Sequence, residues 1–467
     1  MIPERIELTP QQRAAALAPG NVRLRAGAGS GKTEVLAHRF VALLAGDIAL
    51  EPLSPEQIAA ITFTEKATYD MRMRIAQVLE TRIRTAGNDA LRDRLSRARR
   101  LLPLARISTI HGLCSRILRE NPLEARLDPN FDVLDEFESQ TFLQESCGEL
   151  LVAAVRSGDP AARHLVASCT LRGVGRRKGA IEIITELVTA FDRLGRPPQW
   201  IVESAARTAS DVPRRFDIAA CAQSLCSKVD ELAARTDLTA AAQTGVVQLR
   251  ARWHALRSAI NRIDERSEGD VLVVLDELAE LLPNANSRHK ELVLAIRRRR
   301  NKTDPPGLID LLEHAHGAHR AVPRICALAN LLSHIVVELR ELKRARGVVT
   351  FDDLLLLTRD TLARRPPVLA RYRGSIRALL VDEYQDTDPI QHAVVVALTE
   401  PREGLPTPAL FVVGDEKQSI YRFRGADVRV FRAALAPAPV ELPLSESRRS
   451  TPTILNFVNA LAAHVMQ

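Results

Sequence analysis

The chain has 467 residues, 46% of them hydrophobic and 26% charged, which is enough apolar material for the cores of about two to four soluble globular domains. A formal charge of +8 and a pI near 9.4 suit a phosphate-bearing partner, but with 57 Arg to eight Lys the excess is equally explained by a GC-rich genome. There is no run of eighteen apolar residues, no basic-then-apolar leader at Met1, and no Cys-x-x-Cys or zinc-spaced set among the six scattered cysteines, so membrane insertion and secretion are unsupported and a cytoplasmic protein with reduced thiols is expected.

Val22 to Ala26 reads as a strand, although Arg23 and Arg25 are unexpected in a central one. It feeds Ala26-Gly27-Ala28-Gly29-Ser30-Gly31-Lys32-Thr33, with a helix from about Lys32 to Ala45 behind it. Small residues at 26 to 31 let backbone N–H groups close around phosphates, Lys32 reaches the β and γ oxygens as a point charge, and the Thr33 hydroxyl is placed to ligate Mg²⁺. The strict phosphate-loop pattern begins with Gly; Ala26 stands there, and a small side chain is enough. A strand at Ile58 to Thr62, a helix from Lys66 through Glu80, and a strand at Ile107 to Thr109 with His111 opening a helix continue the alternation. Strands alternating with helices in this way imply a parallel sheet with both faces covered.

From about Pro122 to Arg346 the pattern changes to long Ala/Leu/Arg-rich helical stretches, broken near Gly195 to Pro198 and Thr303 to Gly307. The run Arg297 to Arg300 reads as a solvated helix face. Strand character returns at Ala378 to Val381 and Ala409 to Val413, and the stretch from Pro439 to Gln467 offers one strand and one helix. The strand at 378–381 ends in Asp382-Glu383. An acid there completes a metal site with Thr33: Asp382 is placed to hold Mg²⁺ through its outer shell, and Glu383 to orient or deprotonate an attacking water. Together with the phosphate loop this describes an ATP-hydrolysing site.

Six blocks then resemble, in order, those of the UvrD/Rep-like superfamily-one DNA helicases, and in wording the RecB and AddA subunits of helicase-nucleases. They are Leu8-Thr9-Pro10-Gln11-Gln12, the phosphate loop, Thr62-Phe63-Thr64-Glu65-Lys66-Ala67, Ser108-Thr109-Ile110-His111-Gly112, Val381 to Pro389, and Val413 to Ala426. The resemblance covers about residues 1–120 and 347–460. It implies an α/β fold, a RecA-like P-loop domain with a parallel sheet interrupted by a large helical insertion domain. The expected segments are 1–121 and 347–438 for the motor domain, 122–346 for the insertion, and 439–467 for the start of a truncated second motor domain.

The resemblance also assigns roles. The Gln12 amide can donate to and accept from an adenine edge. Gln385 and Gln418 can touch the γ-phosphate or its water and report hydrolysis to a neighbouring loop. Phe63, Tyr421 and Phe423 are stacking platforms for single-stranded bases, worth ~1–3 kcal/mol each, and Thr62, Thr64 and His111 belong to the same DNA-contacting blocks. Arg449, in Leu444 to Ser450, matches the arginine that reaches the γ-phosphate from a second motor domain; Arg448 stands where an aromatic commonly precedes it. The reading is the N-terminal motor half of a 3′ to 5′ DNA helicase of recombinational repair. It uses ATP and Mg²⁺, acts on single-stranded DNA or a duplex with a single-stranded tail, and involves no membrane; its candidate partner is a second helicase-nuclease subunit. The alternative is an ATP- and DNA-binding module that does not unwind, because later motifs are missing after Gln467; a lone strand after Pro439 should then lack sheet partners. A phosphate-loop kinase or GTPase leaves the blocks at 62–67 and 413–426 unexplained.

Overall fold

The computed structural model describes residues 8–48, 51–236, 240–265, 268–282, 290–297, 306–420, 426–433, 440–447 and 449–465. The chain divides into two compact units, one made of 1–141, 189–195 and 342–467, the other of 142–188 and 196–341.

The first unit is built on one six-stranded parallel sheet. Its strands are β1 (Val22–Ala26), β2 (Ile58–Thr62), β3 (Arg106–Thr109), β6 (Ala378–Val381), β7 (Ala409–Gly414) and β8 (Val440–Leu444), in the order β3-β2-β6-β7-β1-β8. A separate parallel pair joins β4 (Asp132–Val133) to β5 (Val348–Val349). β2 and β6 are buried at every position, as strands covered on both faces must be. Alternate residues serve two cores. Ala59, Ile61, Leu379, Val381, Leu410 and Val412 pack with the helices Ile110–Glu120, Phe351–Arg364 and Pro389–Thr399. Val22, Leu24, Ala60, Leu380, Phe411 and Val413 pack with Lys32–Ala45, Glu65–Arg84 and Asp89–Leu101.

β1 explains its own arginines. Val22, Leu24 and Ala26 are buried on one face, while Arg25 on the other is exposed and pairs with Glu441 of β8 at 3.2 Å. The Arg23 guanidinium lies 6.0 Å from the Phe431 ring centroid. One strand from the edge, β1 has an open face that accepts charge.

β8 corrects the expectation of a strand without partners. It runs parallel to β1 with Val22 opposite Val440 and Ala26 opposite Leu444, so residues 440–444 are an edge strand of the six-stranded sheet. The helix Pro452–Val465 after it buries no side chain.

The sheet unit also extends past residue 121. Phe131 is buried in its core, and Asp132 N–H and Leu134 N–H donate to Gly347 and Val349 carbonyls at 2.8 and 2.9 Å. On the other side, Lys343 is buried against Asp353 with Nζ–Oδ2 2.7 Å, which draws 342–346 into the same unit.

The second unit is helical. Leu225, Val229, Leu249, Leu256, Leu275 and Leu278 form its core with Trp253, whose indole N–H donates to Asp230 at 2.6 Å. The helix Leu308–Ala345 spans 38 residues and is long and apolar enough, by length and composition alone, to cross a membrane; its Ile309 and Leu312 are buried in this core. Of the run 297–300, only Arg297 lies among the described residues, and it is half-buried.

Candidate active site

The loop after β1 turns on two glycines. Gly29 and Gly31 have φ of +75° and +82°, where a Cβ would be strained. A Cβ on Gly31 would stand 2.6 Å from Gln12 Nε2, and one on Gly29 would stand 2.5 Å from Arg449 Cβ and 2.8 Å from Ser447 Oγ. Ser30 closes the loop on itself, N–H and hydroxyl both donating to the Gly27 carbonyl at 3.3 and 2.8 Å. The helix Lys32–Ala45 then begins, aiming its unpaired N-terminal N–H groups at the loop.

Because β6 lies two strands from β1 with β7 between, the acids after β6 meet Lys32. Its Nζ donates to Glu383 Oε2 at 2.6 Å and to Gln418 Oε1 at 3.4 Å. Gln418 Nε2 donates to Asp415 Oδ2 at 2.7 Å. Gln385 is buried, and its amide is spent. Nε2 donates to Glu383 Oε2 at 2.9 Å and to Asp386 Oδ2 at 3.1 Å, while Oε1 accepts from Asp415 N–H at 3.0 Å. So Gln385 does not point at open space, as a phosphate-sensing amide would, but ties Glu383 to the loop after β7. Glu383 itself sits at φ 48°, the left-handed region, with its N–H donating to Asp382 Oδ1 at 2.9 Å. A non-glycine residue held there is strained.

Asp382 keeps an opening to solvent by area, yet protein surrounds its carboxyl closely. Burial first, and the Glu383 charge second, push it up to about 7, against the opposing effect of Lys32. Burial and Glu383 likewise push Asp386 up to about 6, and one of its oxygens is buried without a partner. A divalent cation fits this environment, since it would stabilise the Asp382 carboxylate that burial penalises. Mg²⁺ takes only one or two protein oxygens beside phosphate and water, and the Thr33 hydroxyl, with the Asp382 carboxylate acting through water, could serve it. Among the described residues no group of three or more His, Cys, Asp and Glu side chains is arranged for a metal.

Gln12 is buried beside the loop. Its Oε1 accepts from Thr9 N–H at 3.0 Å and its Nε2 donates to the Ser30 carbonyl at 2.8 Å, which leaves one donor and one acceptor of the amide for a purine edge. Arg449 is exposed, against the backbone of Gly29. Tyr421, Phe423 and Arg448 lie outside the described residues.

Phe63 is half-buried and lines one crevice with Thr62, Ile110, Asp382, Glu383 and Gln391, so the aromatic and the two acids share an opening. Thr62 is buried and its hydroxyl is engaged by Thr68 Oγ1 at 2.6 Å and the Thr64 carbonyl at 3.2 Å; it shapes the turn and does not face outward. Thr64 is exposed and caps the next helix by accepting from Ala67 N–H at 3.1 Å. His111 packs edge-on against Phe351, centroids 5.4 Å apart, and burial holds its pKa below the usual imidazole value.

Sequence reasoning missed Asp415 and Asp386, which orient the two glutamines. Asp415 follows the apolar strand β7 directly, and acids at the carboxyl ends of parallel strands are where open α/β sheets bind ligands; that was the available signal. Asp386 carries none, because its role depends on Gln385 folding back.

Comparison with known proteins agrees with this geometry. The family model of the UvrD/REP helicase N-terminal domain matches residues 8–438. Curated relatives include the A subunit of the ATP-dependent helicase/nuclease of Desulforudis audaxviator, 30% identical over 98% of this chain and 40% of the relative. The proteins of the same description from Levilactobacillus brevis and Exiguobacterium sibiricum are 28% and 27% identical over 99% and 98% of this chain. The chain spans about 40% of the length of these relatives.

Proposed function

Because the chain belongs to the UvrD/REP helicase N-terminal domain family, we propose that it is the N-terminal motor portion of an ATP-dependent DNA helicase. The observation that carries this reading is the contact between Lys32 of the phosphate loop and Glu383 after β6, both at the carboxyl end of one parallel sheet. Lys32 and Glu383 neutralise each other without nucleotide. Lys32 then exchanges Glu383 for a phosphate oxygen, which frees the carboxylate to orient a water and take its proton. Gln385 keeps Glu383 aimed, and Gln418 holds the other side of Lys32. Thr33 and Asp382 would hold Mg²⁺, which supplies charge neutralisation at the transferred phosphoryl group. Gln12 would read adenine, Phe63 would stack a base, Tyr421 and Phe423 are proposed to do so too, and Arg449 would reach the γ-phosphate.

Single-stranded DNA, or a duplex with a single-stranded tail, is the proposed substrate. Movement 3′ to 5′, a role in recombinational repair, a cytoplasmic location and partnership with a second helicase-nuclease subunit extend the same reading; the last is supported by the relatives' description as one subunit of a helicase/nuclease. A second reading, binding without unwinding by these 467 residues alone, is favoured by the helix Pro452–Val465, which buries nothing and so gives Arg449 little support. A group misplaced by about 1 Å loses on the order of 10²-fold in rate. The test is an assay of ATP binding, DNA binding and strand separation on a 3′-tailed duplex with this chain. Binding of both ligands without separation is expected; robust separation would remove the second reading, and failure to bind ATP would remove the first.

A further inference from the structure

Base reading by Gln12 depends on where its amide is held, and the helix that carries it has little apolar anchorage of its own. Pro10–Leu17 is eight residues long and buries Gln12, Ala15 and Ala16, so only two methyl groups hold it besides the reader itself. Helices this short are marginal in water without tertiary support. The amino end is closed locally: Thr9 N–H donates to Gln12 Oε1 at 3.0 Å and Gln12 N–H to Thr9 Oγ1 at 3.1 Å. The carboxyl end is closed by another helix. Arg39, on Lys32–Ala45, is 1% exposed. Its Nη1 donates to the Ala18 carbonyl at 2.7 Å and to those of Ala15 and Ala16 at 3.4 and 3.5 Å, and its Nη2 to the Gly20 carbonyl at 3.3 Å. Carbonyls at a helix end have no partner inside the helix, and a cation suits the negative end of its dipole.

Arg39 is an expensive way to fill a core position. Among the described residues no carboxylate acts on it, its Nε has no hydrogen-bond partner, and burial pushes its pKa down to about 10, so it stays charged at neutral pH. The Phe411 ring centroid, 4.3 Å from the guanidinium carbon, offsets part of the desolvation. A Met would occupy similar space without that penalty, but it could not hold four carbonyls at once. The position of Arg39 matters as well. It follows Lys32 by seven residues on the same helix, which is about two turns. One rigid helix thus starts at the phosphate loop and, two turns on, grips the helix that carries the base reader.

We propose that Arg39 is a positioning residue for base selectivity: by locking the carboxyl end of Pro10–Leu17 to Lys32–Ala45, it fixes the Gln12 amide relative to the phosphate loop, so that adenine is accepted and guanine refused. Adenine offers an amide one ring-nitrogen acceptor and one amino donor, whereas guanine has a carbonyl where adenine has the amino group. An amide held in place therefore sets acceptor against acceptor when guanine enters. An amide free to shift or turn over would take either base, so the selectivity lies in the clamp.

This inference rests on the reading of Gln12 as the adenine contact, and its test separates the two. Dissociation constants for ATP and GTP, with Mg²⁺, would be measured per folded molecule on this chain as wild type, Gln12→Ala, Arg39→Met, Arg39→Lys and the double variant Gln12→Ala, Arg39→Met. Gln12→Ala should lower the preference for ATP over GTP by on the order of 10-fold, the discrimination one amide pair carries. Arg39→Met should lower it to the same extent with GTP affinity unchanged, and should add nothing in the double variant. Arg39→Lys, which keeps the charge but not the fork, should fall between wild type and Arg39→Met. Equal loss of ATP and GTP affinity in Arg39→Met would make Arg39 a helix cap and nothing more. An unchanged preference in that variant, or losses that multiply in the double variant, would also overturn the proposal. Should Arg39→Met not fold, Arg39→Lys decides alone: a reduced preference upholds the proposal and an unchanged one overturns it. An unchanged preference in Gln12→Ala removes the adenine reading itself and this proposal with it, whereas a preference lost in Gln12→Ala and kept in Arg39→Met removes the proposal only.

Discussion

Side chains near the phosphate loop are held by hydrogen bonds to particular atoms, whereas those inside the helical unit are held by apolar packing. Lys32 meets Glu383 and Gln418, and Gln385 meets Glu383, Asp386 and Asp415. Leu225, Leu249 and Leu275 are buried in the apolar cluster of the helical core. Hydrogen-bond networks specify residue identity, because a lost partner leaves a buried polar atom unsatisfied. Packing specifies class and volume, because a hydrophobic residue of similar size fills the same space. The two units should therefore fail in different ways when mutated.

The largest contrast comes from Lys32→Ala, which should abolish ATP turnover without lowering the melting temperature; residual turnover near wild type would break the distinction. Leu275→Ala should do the opposite. This fully buried leucine should cost about 2–5 kcal/mol in unfolding free energy, read by denaturant titration, while turnover per folded molecule is kept. A loss of turnover beyond the loss of folded protein would show that the helical core also tunes the site.

Phe63→Ala sharpens the comparison within the sheet unit. If Phe63 stacks on a base, single-strand affinity should fall by ~1–3 kcal/mol with the salt slope unchanged. Unchanged affinity together with a lower melting temperature would make it a core side chain instead.

A last contrast concerns Asp382. An aspartate ordinarily titrates near 3.8, and burial, with the Glu383 charge beside it, pushes this one up to about 7. The folded chain thus binds the extra proton between those values, so the contribution of Asp382 to stability is most favourable below about 4 and declines as pH rises to about 7. Asp382→Asn should raise stability at pH ~8 by up to about 4 kcal/mol, with the gain vanishing below about pH 4, while Mg²⁺-dependent turnover is lost. Thermal melts across pH without nucleotide check this; a variant less stable than wild type at the higher pH would contradict it.

The same division explains what could be read from the sequence. The phosphate loop, Asp382 and Glu383 were legible because their chemistry is local: small residues before a lysine, acids ending an apolar strand. β2, β6 and β7 were legible as apolar runs bounded by turn residues, and β1 as the strand that feeds the phosphate loop. The partner of β8 was not, because pairing Val22 with Val440 joins segments about four hundred residues apart, and an edge strand looks the same with or without a neighbour. Arg23 and Arg25 looked misplaced for the same reason, since their tolerance depends on β1 standing next to that edge. Gln385 could be named from the sequence as a candidate, but its contacts could not, because the direction of its amide depends on Glu383 and Asp386 folding beside it and on Asp415 from another strand end.

The central claim is that Lys32 and Glu383 form one ATP-hydrolysing site across the sheet, and Glu383→Gln tests it most directly. ATP binding and single-turnover hydrolysis would be measured side by side on this variant and on wild type. ATP should bind at least as tightly as in wild type, since the glutamine no longer competes for the Lys32 charge, while hydrolysis slows by on the order of 10²–10⁴. Near-normal hydrolysis by Glu383→Gln would contradict the account.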